Sequence, residues 1–327
     1  MTADTVGGVF TYARDLTAAL DAEVVLATFG PRPGPQAHRD LRLEWMDDPW
    51  DDVAEAERWL LELEEQERPD VVHLNGFAHG AAPFRAPKLV AGHSCVLSWW
   101  RAVKGTDAPR EWDKYRDLVT AGIRAADAIV APTAFMLREL EDLYGPLPAI
   151  ARVVHNGSTA AHAVVPKEPF VLAAGRFWDE AKNLGALDEA AAGIDAPVLV
   201  AGDAGGHMPR HAWPLGQLAP AELAALRARA AVFAAPARYE PFGLAILEAA
   251  RAGCSLVLGD IPSLRELWDG AARFVDPGDP RALRTALQEA LVSPRPATDR
   301  AARYPLEAMA AGHQALYEEL AEARVAA

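Results

Sequence analysis

A chain of 327 residues accommodates two domains at roughly 150 residues each, and its 51% hydrophobic and 24% charged residues form a globular mixture that excludes a disordered or fibrous chain. With 46 Asp and Glu against 32 Lys and Arg, the formal net charge of -14 argues against nucleic acid as the main partner, while local basic residues can still hold a small phosphate ligand. Two cysteines, Cys95 and Cys254, give no disulfide framework and fit a reducing compartment, and no uncharged apolar run reaches the roughly 18 residues of a membrane span.

Met1-Thr2-Ala3-Asp4 leaves little room for a strand before Gly7-Gly8, so the chain is expected to begin inside its first strand. A basic segment followed by an apolar one is missing at this end, so no secretory signal is expected and a cytoplasmic protein is. Helical periodicity covers residues 9–20 and 51–67, and buried strands are predicted at 70–74 and 88–92. A helix at 111–125, a strand at 128–131, a helix at 133–143 and a strand at 152–154 follow. Residues 157–168 show no period and read as a linker.

Beyond it, strands are predicted at 170–174, 197–201, 231–235, 255–258 and 273–275, with helices between them. Ser263 with Glu266 three residues on has the pattern of a capping box, and Asp279-Pro280 offers an N-cap followed by proline. Residues 305–325 form an amphipathic helical pattern. Buried strands alternating with helices predict parallel sheets covered on both faces, hence an α/β chain of two doubly wound domains facing across a cleft.

The stretch from Arg238 to Gly253 holds Glu240-Pro241-Phe242-Gly243-Leu244-Ala245-Ile246-Leu247-Glu248. Pro241 suits the first turn of a helix and Gly253 the position past its end, which places Glu240 at the helix start. Eight residues of helix span roughly 12 Å, whereas two carboxylates serving one glycosidic bond stand roughly 5 to 9.5 Å apart. The pair Glu240 and Glu248 therefore suits gripping the two ends of one elongated ligand. Carboxylates accept hydrogen bonds from vicinal hydroxyls, and backbone amides near Phe242, Gly243 and Leu244 suit an oxygen held between those ends. A nucleotide sugar has that layout of ribose, pyrophosphate and hexose.

The segment Glu240-Pro-Phe-Gly-Leu-Ala-Ile-Leu-Glu248 closely resembles the E-x7-E segment of the retaining glycosyltransferases of family 4, which have the GT-B fold. Six further blocks, in order, extend the resemblance over nearly the whole chain. They are Gly7-Gly8-Val9, Asp70-Val-Val-His-Leu, Val153-Val-His-Asn-Gly157, Gly175-Arg176 with Lys182-Asn183, Asp260-Ile-Pro-Ser-Leu-Arg-Glu266 and Val275-Asp-Pro-Gly-Asp279. His155 stands where the family usually has proline.

The resemblance implies that Arg176 and Lys182 bind the donor diphosphate, Glu248 the nucleotide ribose, and Glu240 the donor sugar near its reacting face. It also implies that Gly7 and Gly8 let the backbone approach the diphosphate, that His93 lies near the donor sugar, and that no divalent metal or other cofactor is required. Retention of the donor's configuration is implied, by same-face attack through an oxocarbenium-like species or, in an older account, through a covalent intermediate at Glu240.

Each of these residues has a plainer reading too: Glu248 as an ordinary helix residue, Glu240 as a cap, Arg176 and Lys182 as surface cations, His93 as a strand-end histidine. His73 and His155 read as structural, Asp47-Asp48 as no metal pair, and Gly202-Asp-Ala-Gly-Gly206 as a second-tier turn near the donor. Trp99, Trp100 and Trp112 are candidates for stacking on an acceptor sugar, with a packing role as the alternative.

The expected organisation is an acceptor-side Rossmann-like domain at 1–157, a nucleotide-sugar domain at 158–304, and a crossover helix at 305–327 returning to the first. The expected activity is transfer of a sugar from a nucleotide-diphosphate sugar to a saccharide or small-molecule acceptor. A nucleotide-sugar-binding protein with little turnover and a nucleotide-sugar epimerase are the alternatives. The net charge argues mildly against docking on anionic membranes.

Overall fold

The structure is a computed structural model that describes residues 1–31, 34, 36–159 and 165–326; residues 160–164 of the expected linker lie outside these. In chain order it contains β1 (Thr2–Asp4), α1 (Gly8–Ala19), β2 (Ala27–Phe29), β3 (Ala37–Arg39), α2 (Trp50–Glu67), β4 (Val72–Leu74) and β5 (Lys88–Ala91). Next come α3 (Val96–Lys104), α4 (Asp113–Ala125), β6 (Ala128–Ala131), α5 (Ala134–Tyr144), β7 (Ile150–Val153), β8 (Glu168–Ala174) and α6 (Leu184–Ala191). The chain continues through β9 (Val198–Ala201), β10 (Trp213–Gly216), α7 (Pro220–Arg229), β11 (Ala230–Ala235), α8 (Leu244–Arg251) and β12 (Ser255–Gly259). It closes with α9 (Pro262–Trp268), β13 (Arg273–Val275), α10 (Pro280–Val292), α11 (Thr298–Ala301) and α12 (Leu306–Ala326). Two compact units result: Met1–Asn156 with Leu306–Ala327, and Gly157–Pro305.

The first unit holds two parallel sheets, β1-β2-β3 and β4-β5-β6-β7. Asn75 joins them, its backbone N–H donating to Thr2 Oγ1 at 2.9 Å and its Nδ2 to the Thr2 carbonyl at 2.6 Å. Across that join the order is 3-2-1-4-5-6-7, and the direction of winding reverses between β1 and β4. Strands β5 and β6 are apolar apart from Lys88, as strands covered on both faces must be, with Leu89, Val90, Ala128 and Ile129 fully buried. Helix α12 covers one face of β5 and β6: Leu316 and Leu320 pack on Leu89, Ala91, Ala128 and Val130. Each of these two leucines contributes roughly 1.5–3 kcal/mol by burial.

The second unit is a single parallel sheet ordered β10-β9-β8-β11-β12-β13, with winding reversed between β8 and β11. Ligands of such sheets bind beyond the carboxyl ends of the strands at that reversal. Both units thus have the doubly wound α/β architecture that the strand and helix spacing predicts.

Three strands escaped the sequence: β2, β3 and β10, each of three or four residues. Helix α4 starts at Asp113, after a 3₁₀ turn at Arg110–Trp112, rather than at 111. The capping box at Ser263 does not form: α9 is capped by Ile261, with Pro262 opening it, and the Ser263 hydroxyl is used elsewhere. Asp279 does cap α10, accepting from the N–H groups of Arg281 and Ala282 at 2.9 and 3.0 Å.

Candidate functional site

In the second unit, the loop after β8 carries Arg176 and Lys182, and the loop after β11 carries Glu240, to the winding reversal. Helix α8 begins at Leu244, not at Pro241, so Glu240 lies in the preceding loop and is not a helix residue. The helical spacing of roughly 12 Å between Glu240 and Glu248 therefore does not apply. The break is Gly243, at φ 85°, where a Cβ would meet Ile246 Cδ1 at 2.7 Å and Glu240 Cγ at 3.2 Å. Only glycine lets the chain turn there with Glu240 in place. Gly253, at φ 82°, lies just past the end of the helix as its sequence position suggests. Phe242 is buried edge-on against Tyr304 at 5.8 Å, so its side chain belongs to the core.

Lys182 ends a 3₁₀ turn that Asp179 caps by accepting from the Ala181 N–H at 2.9 Å. The Lys182 ammonium donates to Glu240 Oε2 at 2.6 Å, and each side chain is 20% exposed. Ser263 Oγ donates to the Glu240 carbonyl at 2.7 Å, which ties α9 to the same loop. Arg238 N–H donates to the Ala181 carbonyl at 2.8 Å, so the two loops hold each other directly. Arg176 lies over the half-exposed Trp178 ring at 5.3 Å. The Gly202 turn abuts these residues, a Cβ there overlapping the Gly175 carbonyl, and its Asp203 carbonyl accepts from the Trp178 N–H at 3.2 Å.

Glu248, on α8, pairs with Arg227 of α7. The guanidinium is buried and the carboxylate keeps about a fifth of its surface exposed. Sequence reading missed Arg227 because a helical arginine has no local signature. Asn183, quoted in the Lys182-Asn183 block but given no role there, has a left-handed backbone at φ 57°. Buried Asn183 Nδ2 donates to the carbonyls of Pro236 and Pro277 at 2.9 and 2.8 Å, pinning the loop after β8 to those after β11 and β13. Asn183→Ala should cost about 2 kcal/mol, since it strands two carbonyls and strains a left-handed residue. Denaturant unfolding checks this; a loss under about 0.5 kcal/mol would show that no pin exists.

In the first unit, Gly7, Gly8, Asn75 and His93 sit at the carboxyl ends of β1, β4 and β5. Gly7 precedes α1 at φ 96° and ψ -151°, a conformation reserved for glycine, and both Gly7 and Gly8 are exposed. His93 Nε2 lies 2.7 Å from Asn75 Oδ1, and Tyr12 meets the His93 ring edge-on at 4.4 Å. Behind them, Tyr12 Oη and His313 Nε2 are 2.6 Å apart, as are His73 Nδ1 and Tyr317 Oη. His313 Nδ1 approaches the Met309 carbonyl at 2.9 Å and must donate to it, so Nε2 is bare and Tyr12 donates. Burial and the proximity of His313 depress His93 to about 3, and burial depresses His313 to about 4. His73 is pushed well below the ordinary histidine range by burial, then by its histidine neighbours and the N-terminus. His155 Nδ1 bonds the Pro132 carbonyl at 2.8 Å.

Trp99 and Trp100 lie on α3, a helix absent from the sequence expectations, and Lys104 sits over their rings at 5.6 and 6.0 Å. Both are partly buried. Trp112 packs edge-on against Tyr115 at 5.8 Å. No group of three or more His, Cys, Asp or Glu side chains suited to a metal ion occurs among the described residues. No helix among them is long and apolar enough to cross a membrane.

A family model described as Glycosyltransferase Family 4 matches residues 6–160, and one described as Glycosyl transferases group 1 matches residues 168–293. Glycogen synthase of Mycobacterium tuberculosis (strain CDC 1551 / Oshkosh) is 30% identical over 207 residues, which cover 55% of this chain and 49% of the relative. The chain thus spans about half the length of the curated relatives it matches. Sucrose-phosphate synthase from Thermosynechococcus elongatus superposes with a TM-score of 0.81 at 20% identity, covering 97% of this chain and 94% of that one. HepE of Anabaena, in complex with UDP-glucose, superposes with a TM-score of 0.69 at 16% identity over 100% of both chains.

Proposed function

The chain belongs to the group 1 glycosyltransferases of family 4, with the GT-B fold, and on that premise we propose that it transfers a sugar from a nucleotide-diphosphate sugar to a saccharide or small-molecule acceptor with retention of configuration. The observation that carries this reading is the Lys182–Glu240 pair at the winding reversal of the second unit, 2.6 Å apart and partly open to solvent. Two cations, Arg176 and Lys182, are assigned to the diphosphate. As the glycosidic bond breaks, the departing diphosphate gains charge, and the two cations offset it, each charge-assisted hydrogen bond contributing about 1.5–3 kcal/mol. Glu240, released when Lys182 turns to phosphate, is assigned to the donor sugar.

Glu248 is assigned to the ribose. Arg227 pairs with its carboxylate, which keeps about a fifth of its surface exposed. In the first unit, Gly7, Gly8 and His93 are assigned to the donor, and Trp99, Trp100 and Trp112 to the acceptor. Residues 1–157 would then carry the acceptor side and 158–304 the nucleotide sugar. Both cysteines are free and buried, which supports a reducing, cytoplasmic setting. The HepE complex makes a UDP-sugar the first donor to test.

A thermal-shift panel of UDP-, GDP-, ADP- and dTDP-sugars tests the reading. A donor at 100 times its Kd stabilises the fold by about 2.7 kcal/mol. Glu248→Gln, which keeps a polar partner for buried Arg227, should weaken that donor's binding about tenfold. A panel without a single shift would overturn the proposal. Donor bound but neither transferred nor hydrolysed would mark a binding protein, and conversion to an isomer without acceptor an epimerase.

A further inference from the structure

The hydrogen bonds around Asn75 determine its orientation. Its Nδ2 lies 2.6 Å from the Thr2 carbonyl, an acceptor only, so the amide nitrogen must point there. Turning the amide over would set two oxygens against each other at that distance. The backbone N–H of the same residue donates to Thr2 Oγ1 at 2.9 Å, which fixes the residue at a second point. Asn75 Oδ1 is therefore the atom that faces His93 Nε2 at 2.7 Å, and an amide oxygen can only accept.

We propose that Asn75 is a positioning residue that holds His93 as its Nε2–H tautomer, leaving Nδ1 a bare lone pair that accepts a hydroxyl proton from the donor. This rests on the assignment of His93 to the donor and deepens it. An acceptor-only nitrogen takes a neutral sugar hydroxyl and repels a carboxylate or phosphate oxygen at the same place. Tyr12 packs edge-on against the ring at 4.4 Å. The ring is neutral at physiological pH, since burial and His313 depress it to about 3. The titratable groups around it are Tyr12 from α1, His73 from β4 and His313 from α12, and none of them carries charge near neutrality.

Nitrogen-15 histidine labelling reads the tautomer in the ligand-free protein, with His93→Gln assigning the resonances. The wild type should show a protonated Nε2 and a bare Nδ1, and Asn75→Ala a mixture of tautomers. Asn75→Asp keeps the accepting oxygen and should therefore keep the protonated Nε2 and bare Nδ1 of the wild type. Asn75→Ala should lower the kcat/KM of that hydrolysis by about tenfold, the worth of one hydrogen bond. A protonated Nδ1 in the wild type, or an unchanged tautomer in Asn75→Ala, would overturn the role of Asn75 whatever the donor. If the tautomers are as expected and saturating UDP-glucose and ADP-glucose both leave the Nδ1 resonance in place, the assignment of His93 to the donor fails instead.

Discussion

Glu240→Gln should lower turnover by about two to three orders of magnitude and, at the same time, tighten the binding of the free nucleoside diphosphate. The two effects have opposite signs because Glu240 has two partners in succession. In the structure its carboxylate holds the Lys182 ammonium at 2.6 Å, so a diphosphate must compete with it for that cation. A neutral amide releases Lys182 and removes the competition, which should improve diphosphate affinity about three- to tenfold, given that the pair is partly solvent-screened. The same amide cannot offer negative charge to a sugar ring that is becoming cationic, and turnover falls. Lys182→Met should behave differently: diphosphate binding weakens about tenfold or more, because the cation itself is gone. Calorimetric titration of the nucleoside diphosphate beside single-turnover kinetics separates the two columns. Affinity and turnover falling together in Glu240→Gln would show that the ion pair supports the loop instead of competing with ligand.

Acid should unfold the first unit well before carboxylate titration does. His93 titrates at about 3 and His313 at about 4 when folded, and His73 well below its ordinary value, because all three are buried without a charged partner. Their unfolded values lie near 6.5, so below that pH the unfolded chain binds protons that the folded unit refuses, and stability falls as pH falls. It is complete above about pH 6.5 and drops by about 1.4 kcal/mol per histidine for each further unit of acidification. Three histidines amount to about 4 kcal/mol at pH 5.5, a large share of the 5–15 kcal/mol typical of a domain. Denaturant midpoints between pH 7.5 and 5.5 measure the slope, to which buried His79 and the buried N-terminal amine add, and His313→Gln should remove about 1.4 kcal/mol of the fall. A flat profile would mean that the histidines are not held neutral.

The long apolar strands were legible from sequence because burial on both faces leaves a continuous hydrophobic signature, as in 128–131 and 170–174. Edge strands lack it: β3 carries Ala37, His38 and Arg39, half open to solvent, and β10 begins with exposed Trp213 and Pro214. At the site, Glu240, Glu248, Arg176 and Lys182 were visible because they cluster in short motifs. Their partners were not. Arg227 meets Glu248 from another helix, Ser263 reaches the Glu240 carbonyl instead of capping its own helix, and Asn183 spans loops 53 and 94 residues away. The helix start was misplaced because Pro241 has the right φ for a first turn, while Gly243 breaks the chain two residues later.

The bond between Tyr12 and His313 joins residues 301 positions apart. During vectorial synthesis, Gly157–Pro305 has all of its own contacts available as soon as it emerges from the ribosome. The unit encoded first must wait, with the seat of Leu316 and Leu320 on β5 and β6 uncovered, until Leu306–Ala326 is made. The part translated earliest is therefore completed last, and that interval is when a nascent chain of this protein has most need of a chaperone.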